Sequence, residues 1–263
     1  MSQTDTPTAE APPATPPRRG SPFVAPLILL VWLGLAAALA AADGSGPLVF
    51  AFVLVGWVLS VMVHEFGHAI VAYWAGDHTV AANGYLTMDP RRYTDLGVSL
   101  LLPLAALALG GIGFPGGAVY LRNDLMRSRL WRSAASLAGP LGTALVLLAL
   151  TTALRLWPVG EIRTPLFAAV SFLAFLQATA LVLNLLPIPG LDGFNALRPC
   201  FPEAWRPAIR RLEGLAFVLL LAVIFLVPGA GAALFGAAAD IAFALGLRPD
   251  ALAAGYELFR FWT

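Results

Sequence analysis

Two histidines and a glutamate stand within five residues, His64-Glu65-Phe66-Gly67-His68, in a stretch that has no other acidic or basic residue from position 48 to position 75. On a helix, residues four apart share a face, so both imidazoles can hold a single ion. Glu65 lies one position along, close to that face without stacking on the histidines. That position suits a general base for a metal-activated water better than a third ligand. A pair of satisfied core histidines is the plainer reading. Against it, ionisable groups in so apolar a segment are costly and usually functional. A catalytic zinc site ordinarily has three protein ligands plus water. Cys200 is the single cysteine, so a cysteine cluster is excluded and the third ligand must come from His, Asp or Glu. Asp192, in the run Asn184-Leu-Leu-Pro-Ile-Pro-Gly-Leu-Asp-Gly193, is the best candidate. Pro187, Pro189 and Gly190 break the chain there and let an acidic side chain turn back toward the bundle, although a turn aspartate before glycine has the same local signature.

The elements that must position these residues are membrane helices. The 263-residue chain is 59% hydrophobic and 12% charged, outside the range of ordinary soluble domains. Windows long enough to cross the bilayer run over residues 23–42, 48–75, 133–157, 165–186, 212–227 and 230–247. The last two are separated by Pro228-Gly229, which reads as a tight hairpin turn. Residues 96–114, interrupted by Pro103 and leading into GGIGFPGG, either span or dip into the membrane. Residues 1–22 are polar and proline-rich and read as a disordered tail rather than a cleavable signal peptide. The expected organisation is therefore a tail over 1–22, a membrane domain over 23–247 with a catalytic core at 48–200, and a C-terminal tail over 248–263.

Arginine placement orients the spans, since basic residues collect in cytoplasmic loops. If 96–114 is re-entrant, fourteen of the sixteen arginines share one side, all but Arg155 and Arg163. If it spans, the division becomes even. The first arrangement gives an all-α polytopic protein of the cell membrane, with about six spans plus a re-entrant or β-hairpin segment and both termini cytoplasmic. It also brings HEFGH and Asp192 to the same cytoplasmic depth. The net charge of +1 argues against a nucleic-acid surface.

With these residues in place, the chain resembles the site-2 protease family of zinc-dependent intramembrane metalloproteases, in a compact form without a PDZ or regulatory module. The matching features are HEFGH at 64–68, NLLPIPGLDG at 184–193, Ala138-Gly139-Pro140, and the GYLTMDP and GGIGFPGG segments. The resemblance implies that His64, His68 and Asp192 bind Zn2+ and that Glu65 activates water to hydrolyse a peptide bond in the transmembrane segment of single-span membrane-protein substrates. It further implies that Asn184 positions substrate or active-site backbone and that GGIGFPGGAV forms a membrane-dipping β-hairpin. An edge strand there, with Phe114, Gly116 and Gly117 contacting substrate, could hold the unwound segment by β-augmentation; a glycine-rich turn is the alternative. The chain departs from the family pattern at Thr143, where many members have Asn, and at Asp89, Tyr93 and Leu96.

Two other functions compete. Intramembrane His and Asp also mark metal carriers and transporters, but those should show polar residues through both leaflets and often repeated halves. A catalytically inactive homologue would have no use for Glu65. His78 reads as a solvated loop residue, and Asp240 lies outside the motif segments.

Overall fold

The computed structural model of the protein describes residues 20–41, 45–93, 119–158 and 164–262. Every regular element among these residues is helical. Four helices are long and apolar enough to cross a membrane: α1 (Val24–Ala41), α2 (Gly46–Ala75), and, after the short α3 (Thr79–Ala82), α4 (Arg129–Arg155) and α5 (Pro165–Leu185). Behind them come a short α6 (Asp192–Leu197), α7 (Arg206–Leu226), α8 (Ala230–Ala244) and α9 (Pro249–Phe259).

Local sequence sets the long helices' ends. Ser45 accepts a hydrogen bond from Leu48 N, Ser128 from Trp131 N and Thr164 from Phe167 N, each supplying an oxygen to the open first turn. Gly76 closes α2 at φ 114°, a left-handed cap that a side chain would strain. At 30 residues α2 is about 45 Å long, well beyond the roughly 30 Å of hydrocarbon.

The helices differ in what covers them. Of the apolar window of α5, 78% is buried against protein; for α1 the figure is 6%. So α5 is the central post, apolar on all sides because neighbours surround it, while α1 turns most of its surface outward. Trp57 and Phe52 of α2, Leu147 and Leu150 of α4 and Phe172 and Leu173 of α5 share one continuous core.

The end of the chain differs from expectation at two places. Pro228-Gly229 does not make a hairpin. The apolar part of α7, Val218–Leu226, meets α8 at 94°, so the two together count as at most one further broken span, for four or five candidates among the described residues. The physical reason is length and composition. α8 has 15 residues, about 22 Å, and the first turns of α7 carry Arg206, Arg210, Arg211 and Glu213. Residues 249–259, expected within a tail, instead form α9. Its Phe259 is fully buried against Phe172 and Phe50, and a side chain at Gly255 would lie 2.2 Å from Ala168 O of α5. The proposed re-entrant segment, 96–114, lies outside the described residues.

Candidate metal centre

Close backbone contact between α2 and α4 creates the site. A Cβ on Gly67 would lie 2.4 Å from Ala138 O, and one on Gly142 would lie 3.0 Å from Val63 O. Small residues let membrane helices approach to backbone contact where side chains would hold them apart. His64 and His68 flank this contact on α2, so both rings are pressed against α4. They are 9% and 7% exposed, and Glu65 between them is 2% exposed.

The third group arrives from the loop after α5. Leu186 to Leu191 folds back, with Gly190 at φ 99°, and Gly193 packs so closely that a Cβ there would lie 2.3 Å from Leu185 O. Ser133 Oγ donates to Ala196 O at 2.6 Å and ties α6 to α4. Asp192, the first residue of α6, is thereby held over the histidine pair. Its Oδ2 is 3.2 Å from His64 Nε2 and its Oδ1 3.4 Å from His68 Nε2, while the two Nε2 atoms are 3.1 Å apart.

The other ring nitrogens say which atoms face inward as lone pairs. His68 Nδ1 is 2.7 Å from Ala135 O, and a carbonyl can only accept, so Nδ1 carries the proton and a neutral ring leaves its lone pair on Nε2. His64 Nδ1 lies 2.9 Å from Thr143 Oγ1, a hydroxyl able to accept in the same way. Two imidazole lone pairs and a carboxylate then converge, an arrangement that repels itself unless a proton or cation lies among them. One ligand atom from each of the three residues falls within 4.8 Å of the others, close enough to hold a metal ion. The remaining wall is Gly139, where a Cβ would lie 2.1 Å from His68 Nε2 and 2.7 Å from His64 Nε2. The glycine leaves a cradle, and two nitrogens with a carboxylate are a donor set suited to zinc.

Glu65 stands apart from this group. Its Oε2 accepts a hydrogen bond from Val119 N at 3.0 Å. Val119 opens a strap laid across the end of α2: Arg122 N donates to Asp77 Oδ2 at 2.7 Å, and Arg127 N donates to Ala75 O at 3.0 Å. Asp77 is fully buried and also accepts from Thr79 N and Oγ1.

Of the residues expected to contact substrate, Asn184 is 4% exposed and lines the same cavity as the histidines. Phe114, Gly116 and Gly117 lie outside the described residues. His78 is exposed against Tyr73, and Asp240 is exposed on α8. The cavity, about 920 Å³, reaches from Asn123, Asp124 and Glu203 in the loops past the metal group.

Motif reading missed the groups that orient the two histidines. Thr143 stood out only as a departure, yet it faces His64 Nδ1. The available signal was Ala135, Gly139 and Thr143 at four-residue spacing, a stripe of small residues on one face of α4. The backbone partners Ala135 O and Val119 N left no trace in the residue types. Asp89, another departure, is fully buried and binds Ser21 N and Arg91, while Tyr93 Oη donates to Met62 O at 3.4 Å beneath the motif.

The chain is 45% identical over 252 residues to a protein of Mycobacterium tuberculosis named as zinc metalloprotease Rip2, an alignment covering 93% of this chain and 95% of that one. The counterpart of that name in Mycolicibacterium smegmatis is 42% identical over the same shares. A protein named as zinc metalloprotease YwhC, from Bacillus subtilis, is 28% identical over 67% of this chain and 81% of its own length. No family model and no solved structure matches the chain.

Proposed function

The chain belongs to the Rip2 family of zinc metalloproteases, and we propose that it is a site-2 protease of the cell membrane, hydrolysing a peptide bond within or near the transmembrane segment of single-span membrane proteins. The observation that carries this reading is the convergence of His64 Nε2, His68 Nε2 and the Asp192 carboxylate within an apolar helix bundle, with the buried Glu65 carboxylate beside them.

In this reading His64, His68 and Asp192 hold zinc, and Thr143 and Ala135 O keep the imidazoles turned with Nε2 inward. Zinc in such a site supplies a Lewis acid that polarises a carbonyl and makes water a stronger acid. Glu65 is the general base. Val119 N–H engages its Oε2, which steadies the carboxylate and leaves Oε1 to take the proton and return it to the leaving amine. Asn184, at the cavity wall, positions the substrate backbone. The polar loops lining the outer part of the cavity admit water from the side that carries the start of α1, where Ser21 N donates to Asp89, and the Arg122–Arg132 loop, which the arginine placement makes cytoplasmic. The C-terminal end, expected on that side too, packs instead at the opposite end of α2, with Phe261 on Phe50 and Ala244 O accepting from Arg155.

The reading is tested in proteoliposomes with single-span substrates. The wild type should bind one zinc and cleave. Glu65→Gln should keep zinc and lose hydrolysis, and His64→Ala should lose both. Capture of uncleaved membrane proteins by Glu65→Gln would identify substrates. Zinc flux across the vesicle without cleavage of any partner would replace the protease with a carrier.

A further inference from the structure

The cavity does not end at the metal ligands. Beyond His64 it continues along α2 past Val61 and Ser60 to Trp57, and beyond Asn184 along α5 past Ala180 to Gln177. Each column runs seven residues, two helical turns or about 10.5 Å. An apolar end would be the default at this depth, but two polar groups stand there unanswered. Gln177 is 1% exposed and its Nε2 has no hydrogen-bond partner among the described residues; Trp57 is 1% exposed and its Nε1 has none either. Ser60 Oγ donates to Gly56 O at 2.8 Å, and its remaining lone pairs meet neither of these donors. A buried donor left unpaired is costly, more so in the low dielectric of a membrane protein.

We infer that the deep end of the cavity is a substrate subsite in which Gln177 and Trp57 donate hydrogen bonds to an acceptor oxygen on the substrate. This rests on the protease reading and assigns two specificity-determining residues to it. The indole N–H can only donate, and the unpaired Gln177 Nε2 likewise, so the two call for an acceptor oxygen rather than an apolar side chain. An extended chain advances about 3.3 Å per residue. From a scissile bond at the metal ligands, about 10 Å therefore reaches the third residue along, on the part of the substrate still in the membrane. Opening a substrate helix frees backbone carbonyls at every position, and a side-chain amide of Asn or Gln presents the same oxygen. The donors thus recompense a hydrogen bond lost when the substrate helix unwinds, which favours the opened chain over the closed helix.

The test separates binding from hydrolysis. Glu65→Gln protein in liposomes is titrated with a fluorescent Leu/Ala single-span peptide of roughly 22 residues, and with a series of that peptide carrying one Asn at successive positions. Gln177→Leu and Trp57→Phe, each added to Glu65→Gln, should weaken binding roughly three- to tenfold, about one hydrogen bond's worth, with zinc content unchanged. An equal loss across the series identifies the backbone carbonyl as the acceptor; a loss confined to one Asn position identifies the side chain. With Glu65 intact, the same substitutions should raise KM and leave kcat near wild type. Unchanged affinity in both variants, or no peptide binding at all, overturns the subsite. Weakened binding alongside a wild type that cleaves nothing would overturn the protease reading and leave the subsite standing.

Discussion

Gly139→Ala adds one methyl group, and the structure says where it goes: 2.1 Å from His68 Nε2, 2.5 Å from His68 Cε1 and 2.7 Å from His64 Nε2. Non-bonded heavy atoms rest at about 3.5 Å or more, so the His68 ring must withdraw by roughly 1.4 Å. Ligand distances in a metal site hold to within about 0.2 Å, so the displacement is several times what the site can absorb. The ring has little room to turn, being 7% exposed and bonded through Nδ1 to Ala135 O on α4. The backbone itself does not object, since alanine is about 1 kcal/mol better than glycine in a helix interior. The expected result is a folded protein whose zinc content falls from about one per chain to below about 0.1 under conditions that saturate the wild type, with cleavage lost in parallel. Elemental analysis of the purified protein measures the first, and substrate cleavage in proteoliposomes the second. Gly236→Ala in α8 is the control, because its Cβ meets nothing within 4 Å. Full zinc occupancy and wild-type cleavage in Gly139→Ala would refute the argument that this glycine makes room for the metal.

Three further outcomes follow from the same geometry. Thr143→Val keeps the shape but removes the hydroxyl facing His64 Nδ1, and should lower zinc affinity or activity about 10- to 100-fold, with Thr143→Ser near wild type; competition with a chelator measures it. Val119→Pro removes the N–H that Glu65 accepts, a charge-assisted bond of about 1.5–3 kcal/mol, so kcat should fall about 10- to 150-fold with zinc retained, while Val119→Ala keeps the donor and the rate. The Arg91 guanidinium hydrogen-bonded to Asp89 holds that carboxyl down at about 2, below its ordinary 3.8. A lowered folded value stabilises above the unfolded one, so the stability lost in Asp89→Asn should be full above pH about 4 and disappear as pH falls toward 2, by thermal melts across that range.

Residue types and spacing were enough to mark His64, Glu65 and His68, because the 3.6-residue period of a helix alone puts two histidines four apart on one face. Asp192 was legible for a different reason: two prolines and a glycine cannot continue a helix, so the chain must turn there. Apolar length likewise marked the four long helices. The ends of the chain were less legible. A 15-residue apolar segment reads the same whether it crosses the bilayer or turns a corner at 94°, and α9 looks like a tail until Gly255 and Phe259 meet α5.

By itself, then, the sequence determined the membrane setting, the candidate ligand types and the candidate base, all properties of residues taken singly or within one helical turn. Only the tertiary structure decided which nitrogen of each histidine faces inward, because that depends on Thr143 and Ala135, 79 and 67 residues away on another helix. It alone decided that Glu65 is held by a backbone N–H, since every residue but proline carries one and composition cannot say which will be aimed at a carboxylate. The pairing of Gln177 with Trp57 at the far end of the cavity is of the same kind. Each is unremarkable in its own helix, and only the packing of α5 against α2 leaves both donors without a partner in one place.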